Sequence, residues 1–160
     1  MDLQVPHSAA VEAIRNLLSL ATPPRILALA SAEAEGSVLA AIGAGAAGFL
    51  RKDHTAGELA GAVRTVAAGG TVHAPKIMKT LIGKGTGVPG MPEKIAALTD
   101  SEREVLACIG NGRTNEQIAE ELHLSQTAVK TYVSRLLARL GLDNRPQAAI
   151  VAHEAGMVTV

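Results

Sequence analysis

Between Ser125 and Leu140 the chain carries Lys130, Arg135 and Arg139 and no acidic residue. Spacings of three and four place Val129, Val133, Leu136, Leu137 and Leu140 on one side of a helix, the side that packs inward. Thr127, Thr131, Ser134, Arg135 and Ala138 then face outward, with Lys130 at the flank. Small residues and long cations alternate on that outward face. Such a face suits a DNA major groove: short side chains let the helix approach, and the cations reach phosphates and base edges. An ordinary surface helix with a few cations has a similar composition. The segment just before it favours DNA. Leu122-His123-Leu124-Ser125 makes a tight break after a second short helical pattern, and Ala119 stands where two crossing helices need a small residue.

Other chemistries find less support. The five His lie far apart, with no paired ligand spacing, so no metal site is expected. Cys108 is the only cysteine, which excludes an internal disulfide and suits a reducing cytoplasm. Gly43 to Gly48 spells G-x-G-x-x-G, but a dinucleotide site needs a strand before it and a helix after it. Here a helix precedes and Phe49-Leu50 follows, so the motif reads as a helix stop and a turn. No nucleophile–base pair is evident, and an enzyme is not expected. No apolar run is long enough to span a membrane, and Met1-Asp2 opens no signal peptide. The expected setting is the cytoplasm, with no membrane partner.

The elements that must hold the cationic face follow from caps and breakers. Thr99 with Glu102, three residues on, forms a capping box, and that helix ends near Gly110-Asn111-Gly112. Thr114 opens a helix through Leu122, Ser125 caps one through Leu140 that Gly141 stops, and a last one runs from about Pro146 to Ala155. These four helices make an all-α unit of about sixty residues, small for an isolated core. Upstream the pattern alternates. Residues 9–20 read as an amphipathic helix stopped by Thr22-Pro23-Pro24, and Arg25–Ser31 as a buried strand. Glu35–Ala44 reads as a helix and Gly48–Arg51 as a short strand. A final helix runs from the Thr55 cap, with Glu58 as its capping-box partner, to about Ala68. That alternation is the mark of a parallel α/β sheet.

Between the two units, residues 71–98 hold four Lys/Arg against one Asp/Glu, whereas 1–70 hold five against six and 99–160 six against eight. Net charge is zero overall, so the positive charge collects in the connecting segment and one helix. Pro75–Ile82 could form a short helix, while Gly83, Gly85, Gly87, Pro89, Gly90 and Pro92 cannot sustain one. The boundaries expected are therefore 1–70, a linker at 71–97, and 98–160. One Phe, one Tyr and no Trp leave Ala, Leu, Ile and Val to build both cores.

Residues 98–157 resemble the C-terminal effector domain of the LuxR/NarL group of bacterial transcription regulators. The resemblance rests on Leu98-Thr99, Glu102-Arg103-Glu104-Val105-Leu106, Asn115, Ile118-Ala119, Leu122, Ser125, Thr127, Val129-Lys130-Thr131 and Leu136 to Leu140. It implies base and phosphate contacts at Lys130, Thr131, Ser134 and Arg135, with Thr127 near the DNA backbone. It also implies a dimer surface on the last helix, where Ala148, Ile150, Val151 and Ala152 carry apolar sides. The chain departs from the family at Tyr132, where His is usual, and at Ser134, where a cation or Asn is frequent.

The first half resembles part of the receiver domain of two-component response regulators. Asp2-Leu3-Gln4-Val5-Pro6 matches the phosphoacceptor Asp with its Pro four residues on, and Gly45 to Asp53 matches the segment bearing the phosphate-pairing Lys, here Lys52. By that resemblance Asp2 is the nucleophile and Lys52 pairs with phosphoryl oxygens. The acidic pair that would hold Mg²⁺ is expected upstream of Asp2, and the hydroxyl position falls on Ala30, with Ser31 beside it.

The fold expected is thus an α/β partial receiver-like (flavodoxin-like) half followed by an all-α four-helix helix-turn-helix domain. The function expected is sequence-specific DNA binding in transcription regulation, as a homodimer on double-stranded DNA. The receiver half is read as too incomplete for normal phosphorylation. No cofactor is expected, Mg²⁺ entering only with a restored receiver segment, and a sensor kinase is a partner only for a full-length form. The alternative is an interaction protein that pairs with a full-length regulator and titrates it without binding DNA. A strand at 1–5 is expected to lack a neighbour, leaving apolar helix positions such as Ile14 and Leu17 without cover.

Overall fold

The computed structural model describes residues 1–3, 7–31, 35–72 and 89–158. Its elements follow the alternation read from the sequence. Helix α1 (His7–Leu18) leads to strand β1 (Leu27–Ala30), helix α2 (Glu35–Gly43), strand β2 (Gly48–Arg51) and helix α3 (Ala56–Ala67). β1 and β2 pair in parallel, Leu27 opposite Gly48 through Ala30 opposite Arg51. Asp2 bridges to Leu29 and Val72 to Gly48, both in parallel, so four short segments lie side by side in the order 1–3, β1, β2, 72. The Gly43–Gly48 motif is a helix stop. Gly45 adopts φ 107°, and a Cβ there would sit 2.4 Å from the Leu18 methyl Cδ1, so only glycine fits.

Helices α1 and α2 cover one face of the sheet, where Leu3, Ile14, Ala28, Ala30, Val38, Ile42 and Phe49 form a buried cluster. Ile14 is fully buried, which overturns the expectation that it lacks cover: α2 packs on it from across the same face. Leu17, one turn nearer the helix end, is 37% exposed, as expected. Gln4, Val5 and Pro6 of the phosphoacceptor motif lie outside the described residues, as does the short helix expected at Pro75–Ile82.

The second cluster belongs to the helices beyond the linker: α4 (Met91–Ala96), α5 (Asp100–Gly110), α6 (Asn115–Glu121), α7 (Gln126–Leu140) and α8 (Arg145–Glu154). Val105, Leu106, Ile109, Ile118, Val129, Leu136, Leu140 and Val151 are its largest fully buried members. Helix α4 lies where Gly90 and Pro92 were expected to prevent one. Pro92 occupies the first turn, where its missing N–H has no helical partner to lose, and Gly90 takes the left-handed N-cap position at φ 69°. Met91 and Leu98 are buried in this cluster and Ile95 packs on it, so the effector core has five helices rather than four.

The two clusters touch. Ile150 of α8 is only 4% exposed and is buried among the residues of the first half. The Asn144 side chain caps α8 by accepting from Gln147 N–H at 3.0 Å, and its Nδ2 donates to Ile42 O at the end of α2 at 2.8 Å. Gly70 lies so close to the chain at Gly112 that a Cβ there would sit 3.1 Å from Gly112 O.

Candidate nucleic-acid interface

The helix pair α6–α7 is set by three local devices. Thr114 and Gln117 form a reciprocal capping box, with Thr114 N–H donating to Gln117 Oε1 at 2.8 Å and Gln117 N–H to Thr114 Oγ1 at 3.2 Å. His123 takes φ 55°, a left-handed conformation that turns the chain sharply after α6, and Leu124 N–H donates to Ala119 O at 2.8 Å. Ser125 Oγ then accepts from Ala128 N–H at 3.1 Å and starts α7. Gly141 ends α7 at φ 72°, and Lys94 Nζ donates to the terminal carbonyl of Leu140 at 3.1 Å.

Burial sorts the α7 side chains as the spacing predicts. Val129, Leu136 and Leu140 are fully buried, and Val133, Leu137 and Tyr132 pack on the core from its margin. Thr127, Lys130, Thr131, Ser134, Arg135 and Ala138 are all exposed. Lys130 and Arg135 form no ion pair or hydrogen bond with the described residues, so both are available to a phosphate or base edge. Thr131 Oγ1 donates back to Thr127 O at 3.0 Å, which holds the hydroxyl against the helix and keeps this stretch of surface low.

Arg139 does not belong with these two cations. Its Nη1 donates to Glu102 Oε2 at 2.8 Å and Oε1 at 3.0 Å, and its Nη2 to Ala97 O at 2.6 Å. Glu102 meanwhile accepts from Thr99 N–H at 2.8 Å. One carboxylate therefore caps α5 and anchors α7. Sequence alone revealed the capping half of that role; the 37-residue separation of Arg139 from Glu102 hid the other. The Thr99 N–H first, and Arg139 as well, hold the Glu102 carboxyl below the usual range. A depressed folded value means the contribution is complete above the unfolded pKa and vanishes as pH falls through the folded one. The stability gap between the native chain and Glu102→Gln should therefore be constant at neutral pH and close below pH ~4, followed by thermal unfolding. A gap that persists at low pH would show that the charge on Glu102 contributes nothing.

Arg145, at the start of α8, was also missed. It donates to Asn115 Oδ1 and to Arg113 O, both at 2.7 Å, and so ties α8 to the start of α6. Burial first, and the neighbouring Arg25 second, lower its pKa to about 10, which leaves it charged at neutral pH.

The four residues read as a dimer surface are placed differently from that expectation. Ala148, Val151 and Ala152 are fully buried in the effector core, and Ile150 is buried against the first half. None of the four is on the surface of this conformation. The apolar spacing on α8 exceeds one face because two partners, the effector helices and the receiver-like half, close on it from different sides.

In the first half, Lys52 Nζ donates to Asp2 Oδ2 at 2.7 Å, across 50 residues of sequence. The pairing of the parallel segments brings these two ends together. Ala30, where a hydroxyl would serve a phosphoryl group, is fully buried at the end of β1. Among the described residues no group of three His, Cys, Asp or Glu lies together.

Comparison with known proteins places this geometry. Residues 96–152 match the family model described as bacterial regulatory proteins, luxR family. The DNA-binding transcriptional activator DevR/DosR of Mycobacterium tuberculosis is 40% identical over 154 residues, 96% of this chain and 71% of that protein. The transcriptional regulatory protein LnrK of Bacillus subtilis is 32% identical over 165 residues, 98% of this chain and 75% of that protein. Among solved structures, the response regulator ChrA of a heme-sensing two-component system is 31% identical, with 98% of this chain and 75% of that one covered at a TM-score of 0.43. The matched segment spans the capped α6–α7 pair and its cationic face, and the two curated relatives extend the match through the parallel sheet, so the chain belongs to the LuxR/NarL-type transcriptional response regulators.

Proposed function

We propose that this chain is a sequence-specific DNA-binding transcription regulator in which the helices from Met91 onward form the DNA-binding unit and residues 1–72 a receiver-like unit, the expected linker at 71–97 being shortened at both ends by the Val72 bridge and by α4. The observation that carries the reading is the exposed face of α7: Thr127, Lys130, Thr131, Ser134 and Arg135 lie together, free of acidic neighbours on the helix, behind a capped and sharply turned α6. In this reading α7 enters the major groove, Lys130 and Arg135 supply phosphate and base contacts, and Ser125 and Thr127 lie near the DNA backbone at the helix N-terminus. Two copies would read half-sites about one DNA turn apart. Gel shifts of the full chain on fragmented genomic DNA test the reading: a discrete set of retained fragments that resists non-specific competitor is expected. Uniform retention, or none, would refute it.

The Asp2–Lys52 pair supports a receiver-type origin for the first half, but Ala30 at the position where a hydroxyl would serve argues against ordinary phosphoryl transfer. Incubation with acetyl phosphate and Mg²⁺ should leave its mass and its DNA affinity unchanged. A gain of one phosphoryl group that an Asp2→Ala variant abolishes would overturn this.

A further inference from the structure

The first half and the effector helices meet along two stretches of chain, 69–71 and 112–115. A Cβ at Gly70 would sit 3.1 Å from Gly112 O and 3.2 Å from Thr114 Cγ2, and one at Gly112 would sit 3.1 Å from Thr71 O. Two arginines flank this seam, one from each half. Arg25 lays its guanidinium on Gly69, where φ is 87° and a Cβ would sit 3.0 Å from Nη1. Arg145 comes from the other side and donates to Asn115 Oδ1 and Arg113 O, both at 2.7 Å. The two are neighbours, and the charge that acts on Arg145 most strongly is that of Arg25.

Like charges brought together at a seam call for a counter-charge. Among the described residues neither arginine is in an ion pair. The two acceptors that Arg145 finds are neutral oxygens, and its Nε–H is buried with no acceptor at all. Thr71, on the facing stretch and only 4% exposed, likewise has an unpartnered buried hydroxyl. The connection that leaves the seam after Val72 brings no acid, since residues 73–88 hold three Lys and no Asp or Glu. An arginine keeps its proton at neutral pH, and a buried charge without a partner is costly. We propose that this seam binds a small tetrahedral oxyanion such as inorganic phosphate, held between the guanidiniums of Arg25 and Arg145 with the Thr71 hydroxyl as a neutral donor. The planar guanidinium fork matches two phosphate oxygens. Arg25 is exposed, so the ion reaches the seam from solvent on that side. Once bound, it offsets both charges and ties the two halves together. The site is distinct from Asp2 and Lys52: Arg25 precedes β1 and Lys52 follows β2, at opposite ends of the parallel pair.

Calorimetric titration of the full chain with inorganic phosphate, at constant ionic strength in chloride, tests this. One saturable site per chain is expected, with sulfate competing and acetate not. Arg25→Ala, at an exposed position outside both cores, should weaken binding about tenfold or more. Thr71→Val keeps the shape and removes only an unpaired hydroxyl, so it should fold as the native chain does and weaken binding about threefold. Saturating phosphate should slow hydrogen exchange at 69–71 and 112–115 together, on both sides of the seam. Asp2→Ala, and Lys130→Ala combined with Arg135→Ala, should bind phosphate as the native chain does. Non-saturating uptake would mean an adventitious ion only and would overturn the proposal, as would equal affinity of the native and Arg25→Ala chains. Loss of binding in Asp2→Ala or in the α7 double variant would place the ion elsewhere and refute it equally. Acetate competing as strongly as sulfate would refute the choice of a tetrahedral oxyanion.

Discussion

Replacing Lys130 and Arg135 together by Ala should reduce affinity for a retained DNA fragment by roughly one to three orders of magnitude while leaving the fold intact. Both side chains are exposed and form no ion pair or hydrogen bond with the described residues, so their removal takes nothing from the effector core. The cost falls on the complex alone. A cation that meets a phosphate releases condensed counterions, so removing one such cation should flatten the log–log salt dependence by about one unit. Removing a side chain that reads a base edge costs about 1–3 kcal/mol of discrimination and relaxes sequence preference without moving that slope. The two single variants therefore separate the roles, since the phosphate-binding residue changes the slope and the base-reading residue changes the preference. Arg139→Ala is the control, because its guanidinium is committed to Glu102 and Ala97 O. It should lower thermal stability first and affinity only through that loss. If the double variant binds with unchanged affinity and slope, α7 is not the helix that meets DNA.

Neighbouring substitutions on α8 should have opposite consequences. Val151 is fully buried in the effector core, and Glu there has no partner for its charge. A buried unpaired carboxylate costs on the order of 4–5 kcal/mol. A unit of about sixty residues holds only about 3–9 kcal/mol in total. Val151→Glu should therefore remove about half or more of the stability of this unit, seen as a lowered thermal midpoint of its helical circular dichroism and weakened DNA binding. Ile150 belongs instead to the buried cluster of the first half, on which α8 packs through α2. A Glu at 150 can regain water if the two halves part, giving up that apolar packing and the Asn144–Ile42 hydrogen bond. Ile150→Glu should keep the effector helices protected in hydrogen exchange and increase the radius of gyration. Of the four α8 positions read as a dimer surface, Ile150 is the one buried against the first half rather than in the effector core, so parting of the halves would expose it. The same variant should then be monomeric and should bind a two-half-site operator more weakly than the native chain. Retained dimer mass in Ile150→Glu would rule out pairing through this helix.

The residues 98–157 were legible in the sequence because their structure is specified locally. Thr99 with Glu102, Thr114, Ser125 and Gly141 mark helix ends through side-chain and backbone conformations that reach no further than four residues. The three- and four-residue spacing of Val129, Leu136 and Leu140 fixes which side of α7 is buried, and hence which residues remain exposed. The alternation of helix and strand in the first half was legible for the same reason. What the tertiary structure decided are pairings over long sequence distances, which no local pattern encodes. Arg139 was one of three cations in the segment with no role of its own until Glu102 lay opposite it. Arg145 carried no signal until Asn115 and Arg113 O lay beside it. Helix α8 shows the limit most plainly. Its apolar residues announce burial, but burial against a second copy and burial against the first half of the same chain follow from the same residues. Only the packing of this helix against α2 and the burial of Ile150 in the cluster of the first half distinguish them, because hydrophobic contact is non-directional and depends on where the chain has brought its own apolar surface.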